Sequence, residues 1–186
     1  CAFAAQAAEY PERPVRVIVT FPAGGGTDIV ARMVIQKLAE RTGGSFVVDN
    51  RGGAGGTIGT DLLAKAPADG YTIGVISGSH TINPALYKKL AFDSVRDFAP
   101  VAMLVTGPGL LVVHPSLPAR NVRELLDLTR SKRGTLNYGT AGIGTNPHIA
   151  GELFNYLGKT NLVAVHYKGG GPSLIAAISG EVTVAF

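Results

Sequence analysis

The sequence FPAGGGTD, at residues 21–28, joins two stretches of different periodicity. Residues 15–20 before it form a run of β-forming side chains. Apolar residues after it recur at helical spacing along one face of residues 29–40. The glycines therefore occupy a strand-to-helix turn, where the missing Cβ permits positive φ and lets a ligand approach the backbone.

The start of this helix predicts a binding site for a small anion. The N–H groups of a first helical turn have no intrahelical partners, and the positive end of the helix dipole lies there. We expect Thr27 to be the N-cap and a carboxylate or phosphate to be the ligand. We also expect Gly25→Val to abolish binding, because the new side chain would block both the turn and the ligand.

The same pattern recurs along the chain. Glycine-rich turns follow predicted strands at residues 50–57, 139–148 and 166–172, and a polar turn at residues 77–80 follows another. Alternating strands and helices predict an α/β fold with parallel strands, whose ligands bind at the carboxyl ends of the strands. Ordinary connections often contain one glycine, so turns with two or more favour a binding function.

Turn signals and periodicity give bounds for the individual elements. We predict helices at residues 27–41, 58–65, 84–89, 121–131, 147–157 and 173–179. We predict strands at residues 15–20, 45–49, 71–76, 101–105, 110–113, 135–138, 162–165 and 182–186. A Gly-Pro-Gly segment at 107–109 suggests a domain boundary near residue 107, with a first lobe at 9–106 and a second at 107–186.

Composition favours a globular protein and disfavours a nucleic-acid-binding one. The 186 residues are 46% hydrophobic and 16% charged, with a net charge of +4. Lys and Arg are scattered, without a basic stripe interleaved with aromatic residues. The small excess of cations suits an anionic ligand, although a solvated surface explains it equally well.

The first eight residues are typical of the end of a secretory signal. AQA at residues 5–7 is the small-residue pattern that signal peptidase accepts. A lipid-modified Cys1 is the alternative interpretation. Cys1 is the single cysteine, which excludes a disulfide framework and a thiolate metal cluster. No apolar run in the sequence reaches the roughly 18 residues of a membrane span.

Catalytic and cofactor motifs are missing from the sequence. It contains no G-x-G-x-x-G, no G-x-S-x-G and no H-E-x-x-H. The four histidines lack paired ligand spacing, so we expect no metal, no cofactor and no enzyme activity. His80 and His148 lie in predicted cleft turns and could hydrogen-bond an anion. Asp28 could either interact with the helix dipole or orient the glycine loop.

Several segments in combination resemble the periplasmic solute-binding receptors of tripartite tricarboxylate transporters, the Bug family. The matching segments are PVRVIV at 14–19, FPAGGGTD at 21–28, VVDNRGGAGG at 47–56, DGYT at 69–72, LY at 86–87, DFAP at 97–100 and HYKG at 166–169. The resemblance covers nearly the whole chain after residue 10.

The resemblance implies a type II periplasmic-binding-protein fold, in which two lobes close around a carboxylate and deliver it to membrane transporter subunits. The ligand would be a di- or tricarboxylate, an acidic amino acid or an aromatic acid, and the receptor a periplasmic monomer. Family members continue past Phe186, so the chain resembles a C-terminally shortened member whose second lobe is incomplete.

The resemblance also assigns binding residues, partly as backbone amides. They are Phe21, Ala23, Gly24, Gly25, Gly26, Thr27, Asp28, Ser77, Gly78, Ser79, His80, Thr140, Ala141, Gly142, Gly144, Thr145, Asn146, Tyr167, Lys168 and Gly169. The side chains of Ser79, Thr145 and Asn146 are expected to set selectivity. Two other functions stay open: an α/β enzyme acting on small acids, and a ligand-sensing partner protein without a transport role.

Overall fold

The computed structural model describes residues 10–186, so the predicted signal remnant and Cys1 lie outside the described residues. A first sheet contains three parallel strands in the order β2-β1-β3. Its strands are β1 Val15–Val19, β2 Phe46–Asn50 and β3 Thr72–Val75, and its helices are α1 Gly26–Thr42, α2 Thr57–Ala64 and α3 Ser79–Leu86. We call this part of the chain the first lobe.

A second sheet contains four strands in the order β4-β7-β5-β6. Its strands are β4 Val112–Val113, β5 Asn137–Thr140, β6 Val163–His166 and β7 Val184–Ala185, and its helices are α4 Val122–Ser131, α5 Asn146–Gly158 and α6 Gly170–Ser179. Strand β5 is parallel to both neighbours, and only β4 is antiparallel. This second lobe, like the first, confirms the predicted α/β class with mainly parallel strands.

Each sheet packs helices over its own apolar core. Val17 and Val19 of the central strand β1 pack against Ala31 and Ile35 of α1. In the second lobe, Tyr138 of β5 lies in a cluster with Leu125 of α4 and other apolar side chains. A central parallel strand is covered on both faces, which explains why β1 is buried except at Arg16.

Two of the helix-end signals work as predicted. Helix α1 ends at Gly43, whose φ is +67°, in the left-handed conformation that glycine favours. Helix α4 begins after Asn121, whose side chain accepts a hydrogen bond from the Glu124 N–H at 3.0 Å. The Glu124 carboxylate accepts in turn from the Arg120 N–H at 2.7 Å. These reciprocal bonds match a capping box shifted by one residue.

Three local predictions are wrong. The N-cap of α1 is Gly25 and Thr27 lies inside the helix, while the Asp28 carboxylate accepts a hydrogen bond from the Gly24 N–H of the loop. Helix α3 begins at Ser79 and contains Pro84, which the sequence interpretation placed at a helix start. No strand forms at 101–105, where Val101 is 94% exposed and no neighbouring strand pairs with it. The boundary near residue 107 falls in this irregular segment and stays a prediction.

Candidate functional site

Asp28 fixes the first glycine loop from within. Its carboxylate accepts hydrogen bonds from the Gly24 N–H at 2.9 Å, Arg32 Nε at 2.9 Å and Asn50 Nδ2 at 2.9 Å. Asn50 Nδ2 also donates to the Phe21 carbonyl at 3.0 Å. Burial works against the charged form, but the bonds from Arg32, Gly24 and Asn50 hold the pKa of Asp28 below its usual value. The structure therefore shows Asp28 bonded to the glycine loop, and Asp28 also lies in the first turn of α1, where the helix dipole acts on it.

Positive φ in this loop occurs at Gly24 and not at Gly25. Gly24 has φ +81°, whereas Gly25 has φ −81° and ψ 165°, an extended conformation open to any residue. A Cβ at Gly25 would lie 3.4 Å from the Pro22 carbonyl oxygen, an ordinary contact. The turn-blocking reason for expecting Gly25→Val to abolish binding is therefore wrong.

Two helix starts present unpaired backbone amides. The first intrahelical bond of α1 runs from Ile29 to Gly25, so the N–H groups at positions 26, 27 and 28 precede it. In α5 the first intrahelical bond runs from the Ile149 N–H to the Thr145 carbonyl, so the N–H groups at positions 146 and 148 precede it. Pro147 has no N–H. Both helices follow parallel strands of their own sheets, at the strands' carboxyl ends.

The loops of the two lobes meet each other, largely through glycines. A Cβ added to Gly55 of the first lobe would overlap the Ile143 carbonyl oxygen of the second. A Cβ on Gly169 would lie 3.0 Å from Pro22 Cδ, and one on Gly78 would lie 3.1 Å from Asn146 Oδ1. These glycines let the two backbones approach closely, a role that the sequence interpretation assigned to the ligand alone.

The contact between the lobes is formed by packing. Within residues 10–186, no hydrogen bond or ion pair joins the first lobe to the second. Separation of the two lobes would therefore break no hydrogen bond or ion pair between their described residues.

The second-lobe loop is shaped by its own hydroxyls. Thr140 Oγ1 accepts from the Gly142 N–H at 3.1 Å and lies 2.8 Å from His166 Nδ1. Thr145 Oγ1 donates to the Gly142 carbonyl at 2.6 Å, and Thr145 is buried. Gly142 and Gly144 adopt positive φ, at +125° and +78°. The hydroxyl expected to set selectivity at Thr145 is thus bonded inside the loop.

The two cleft histidines have different surroundings. His80 Nε2 lies 2.8 Å from the Ser94 carbonyl, and its ring packs against Phe92 and Phe98, with ring centres 6.1 and 5.0 Å away. The His80 side chain is therefore packed against the 92–98 segment. His148 Nδ1 accepts a hydrogen bond from the Gly144 N–H at 3.2 Å, so His148 holds the second-lobe loop at 140–146.

A second imidazole ring, that of His166, lies beside His148. The His166 ring centre is 5.0 Å from that of His148. Partial desolvation, together with the neighbouring His148, lowers the pKa of His166, and Glu152 opposes this effect. The uncharged form of His166 is therefore favoured beside the loop.

Other predicted residues contribute backbone or lie exposed. The Tyr167 hydroxyl donates to Glu181 at 2.8 Å, and desolvation and this bond raise its pKa. Lys168 and Asn146 are exposed, and the Ser77 and Ser79 hydroxyl oxygens lie 2.8 Å apart. The structure brings together the loops at 21–28, 140–146 and 167–169, together with Gly78. Contact of each residue with a ligand stays a prediction.

Sequence reasoning did not assign Asn83 to the site. This α3 residue is 1% exposed, and its Nδ2 donates to the Gly55 carbonyl at 3.3 Å. Its Oδ1 has no hydrogen-bond partner and would lie 3.0 Å from a Cβ on Gly144 of the second lobe. No motif contains Asn83, so only the packing of α3 against the loops could identify it.

Residues 10–186 contain no group of three or more His, Cys, Asp or Glu residues placed to hold a metal ion. Within the same residues, no helix combines the length and the apolar character that a membrane span needs.

Two α/β sheets whose strand ends face each other, with glycine loops and helix starts between them, define a two-lobed solute-binding protein. Residues 30–186 match the sequence profile of the tripartite tricarboxylate transporter family receptor. The chain belongs to this family. The resemblance found in the sequence is therefore confirmed.

Relatives and solved structures agree with this assignment. A UPF0065 protein from the tcbD–tcbE intergenic region of a Pseudomonas species is 39% identical over 173 residues, 93% of this chain and 52% of that protein. Protein BugT of Bordetella pertussis is 35% identical over 175 residues, 93% of this chain and 54% of that protein. The chain spans about half the length of these curated relatives.

Similar structures show the same fold. An R. palustris protein solved with adipate superposes with a TM-score of 0.90 at 38% identity, covering 95% of this chain and 59% of that one. MatC from Rhodopseudomonas palustris, with bound malate, superposes with a TM-score of 0.87 at 34% identity, covering 95% of this chain and 60% of that one. The periplasmic-binding-protein fold is confirmed, and these family members are solute-binding proteins.

Proposed function

We propose that this chain binds a small carboxylate in the cleft between its two lobes and serves as a periplasmic receptor for a tripartite transporter. One observation carries the proposal. The unpaired N–H groups at the starts of α1 and α5 belong to loops that each meet the opposite lobe, the α1 loop at Gly169 and the α5 loop at Gly55 and Gly78. A ligand held by both helix starts would keep the lobes closed.

The chemistry of the donors selects an anion. Each helix start combines free N–H groups with about half a positive elementary charge from the helix dipole. A carboxylate has two oxygens that accept hydrogen bonds, and such charge-assisted bonds are stronger than neutral ones. With one helix start in each lobe, a ligand with two carboxylates makes the best use of the cleft.

Several predicted residues would then act by holding loops. Asp28 holds the Gly24 N–H, Thr145 holds the Gly142 carbonyl, and His148 holds the Gly144 N–H. The free amides that follow them would contact the ligand. Preorganised donors of this kind lose little entropy on binding.

The relatives support a carboxylate ligand. Two similar structures were solved with adipate and with malate, which are both dicarboxylates. Another similar structure is that of a periplasmic transporter protein. An enzyme function receives less support, because the side chains that could act as acid or base in the cleft, those of His80, His148 and Asp28, are each hydrogen-bonded within the protein.

Thermal unfolding of this chain with dicarboxylates of four to eight carbons, citrate and aromatic acids tests the proposal. A ligand at about 100 times its dissociation constant stabilises the folded state by about 2.7 kcal/mol, roughly 5 to 10 °C for a chain of this size. The matched control is the neutral diamide of the same acid, which should give no shift. No shift with any acid, or turnover of one of them, would contradict the receptor proposal.

A further inference from the structure

Asn83 carries an unpaired acceptor between the lobes. The residue is 1% exposed, and its Oδ1 has no hydrogen-bond partner. A buried carbonyl oxygen without a partner is disfavoured, and native proteins rarely keep one without a use.

The orientation of the Asn83 amide is set by Gly55. Its Nδ2 lies 3.3 Å from the Gly55 carbonyl oxygen, so exchanging the two amide atoms would bring two oxygens together. The free atom is therefore the acceptor. Oδ1 lies 3.5 Å from the position of a Cβ on Gly55 and 3.0 Å from that of one on Gly144. It thus lies where the first-lobe turn meets the second-lobe loop.

An acceptor at this place is chemically different from the rest of the site. The helix starts present N–H donors, which suit carboxylate oxygens. Asn83 Oδ1 would repel a carboxylate and can bond only a group that carries hydrogen. A hydroxyl or an ammonium group on the ligand fits this requirement.

We propose that Asn83 determines selectivity: its Oδ1 accepts a hydrogen bond from a hydroxyl or ammonium group of the bound dicarboxylate. The inference rests on the proposed receptor function. It adds that hydroxy- or amino-substituted acids bind more tightly than the unsubstituted acid of the same length. A site of this kind loses affinity for an analogue without the donor, because its own acceptor then stays unpaired.

Calorimetry with three acids that share one carbon skeleton tests the inference. Succinate lacks the donor, malate adds a hydroxyl, and aspartate adds an ammonium group. If the panel favours six carbons, adipate and its 2-hydroxy and 2-amino derivatives replace them. For the natural chain, we expect at least one substituted acid to bind about five- to tenfold more tightly than the unsubstituted one.

Asn83→Leu removes the acceptor and keeps the branched shape of the side chain. In this variant the ratio of affinities should fall to about one. Asn161→Leu is the control for the same substitution on the exposed surface, and it should keep the ratio of the natural chain. The comparison of acids on the natural chain needs no variant, so equal affinities would overturn the inference even if Asn83→Leu does not fold.

Each outcome has a distinct meaning. Equal affinities in the natural chain, or an unchanged ratio in Asn83→Leu, would overturn the inference. Equal weakening of all three acids would also overturn it, because Asn83 would then bond a water or support the loop. Binding of no carboxylate at all would refute the receptor proposal itself and this inference with it.

Discussion

Replacing Asp28 by asparagine tests how the first glycine loop is held. The carboxylate accepts bonds from the Gly24 N–H, Arg32 Nε and Asn50 Nδ2, all three of which are donors. An asparagine keeps one oxygen, but its NH2 group must face one of these donors. The substitution therefore removes a charge and leaves at least one donor without an acceptor.

The magnitude follows from burial. Breaking a buried ion pair by removing one partner typically costs about 3–5 kcal/mol. Asp28 is 3% exposed, but the Arg32 side chain is 52% exposed and can regain water, which reduces the loss. We expect Asp28→Asn to lower the free energy of unfolding by about 3 kcal/mol, a fall in Tm of about 6–12 °C.

Urea and thermal unfolding followed by circular dichroism measure this change at neutral pH. The control is Asp127→Asn, because the Asp127 side chain is 69% exposed and lies 3.6 Å from Arg130. A surface pair of this kind contributes less than about 1 kcal/mol. If Asp28→Asn and the control unfolded at the same temperature, the carboxylate would not hold the loop.

The pH dependence provides a second check on Asp28. Its folded-state pKa is lowered from the usual 3.8, so the unfolded chain binds the proton more readily than the folded one. The stability that Asp28 contributes is complete above this value and declines as pH falls through the folded-state pKa. The difference between the natural chain and Asp28→Asn should therefore shrink between pH 5 and pH 3. A constant difference over this range would contradict the assignment.

Two further predictions concern the contact between the lobes and the histidine pair. Gly55→Ala should raise the radius of gyration in X-ray scattering, because its Cβ would overlap the Ile143 carbonyl. Gly70→Ala is the control, because Gly70 also has positive φ but its Cβ would meet only Tyr10, at 3.6 Å. This control should not raise the radius of gyration. Equal radii for the two variants would contradict the proposed contact. His166 has a lowered pKa, so its charging opposes folding. Stability should fall as pH drops from 7 to 5, and less so in His166→Gln; an equal fall in both would rule out His166 as the cause.

Much of the fold was predictable because it depends on local chemistry. The run of β-formers at 15–20 and the helical periodicity after Asp28 gave β1 and α1 to within two residues. Gly43 predicted the end of α1 because a helix often ends at a residue with positive φ, which glycine adopts readily. These signals act over a few neighbouring residues, which is why one sequence suffices to find them.

The features of the site that the sequence did not predict depend on residues far apart in the sequence. Asp28 acquires its role from Asn50, 22 positions away, and Asn83 from Gly55, 28 positions away. The apolar segment at 101–105 was expected to form a strand, but a strand also needs a neighbour to pair with. Local patterns located the loops, and only packing showed which groups were already bonded.

In the proposed receptor, backbone amides at the helix starts bind the carboxylate. Gly26→Pro tests it most directly, because proline removes one unpaired N–H at the first helical position, where its fixed φ is accepted. Gly25 before it is extended, as a residue preceding proline should be. Gly26→Ala is the control, because its Cβ meets nothing within 4 Å and the N–H remains.

Calorimetric titration of the two variants with the acid that stabilises the natural chain gives the answer. A hydrogen bond to a charged group is worth about 1.5–3 kcal/mol, so we expect at least about tenfold weaker binding for Gly26→Pro. Gly26→Ala should bind nearly as tightly as the natural chain. Unchanged affinity in a folded Gly26→Pro protein would contradict the claim.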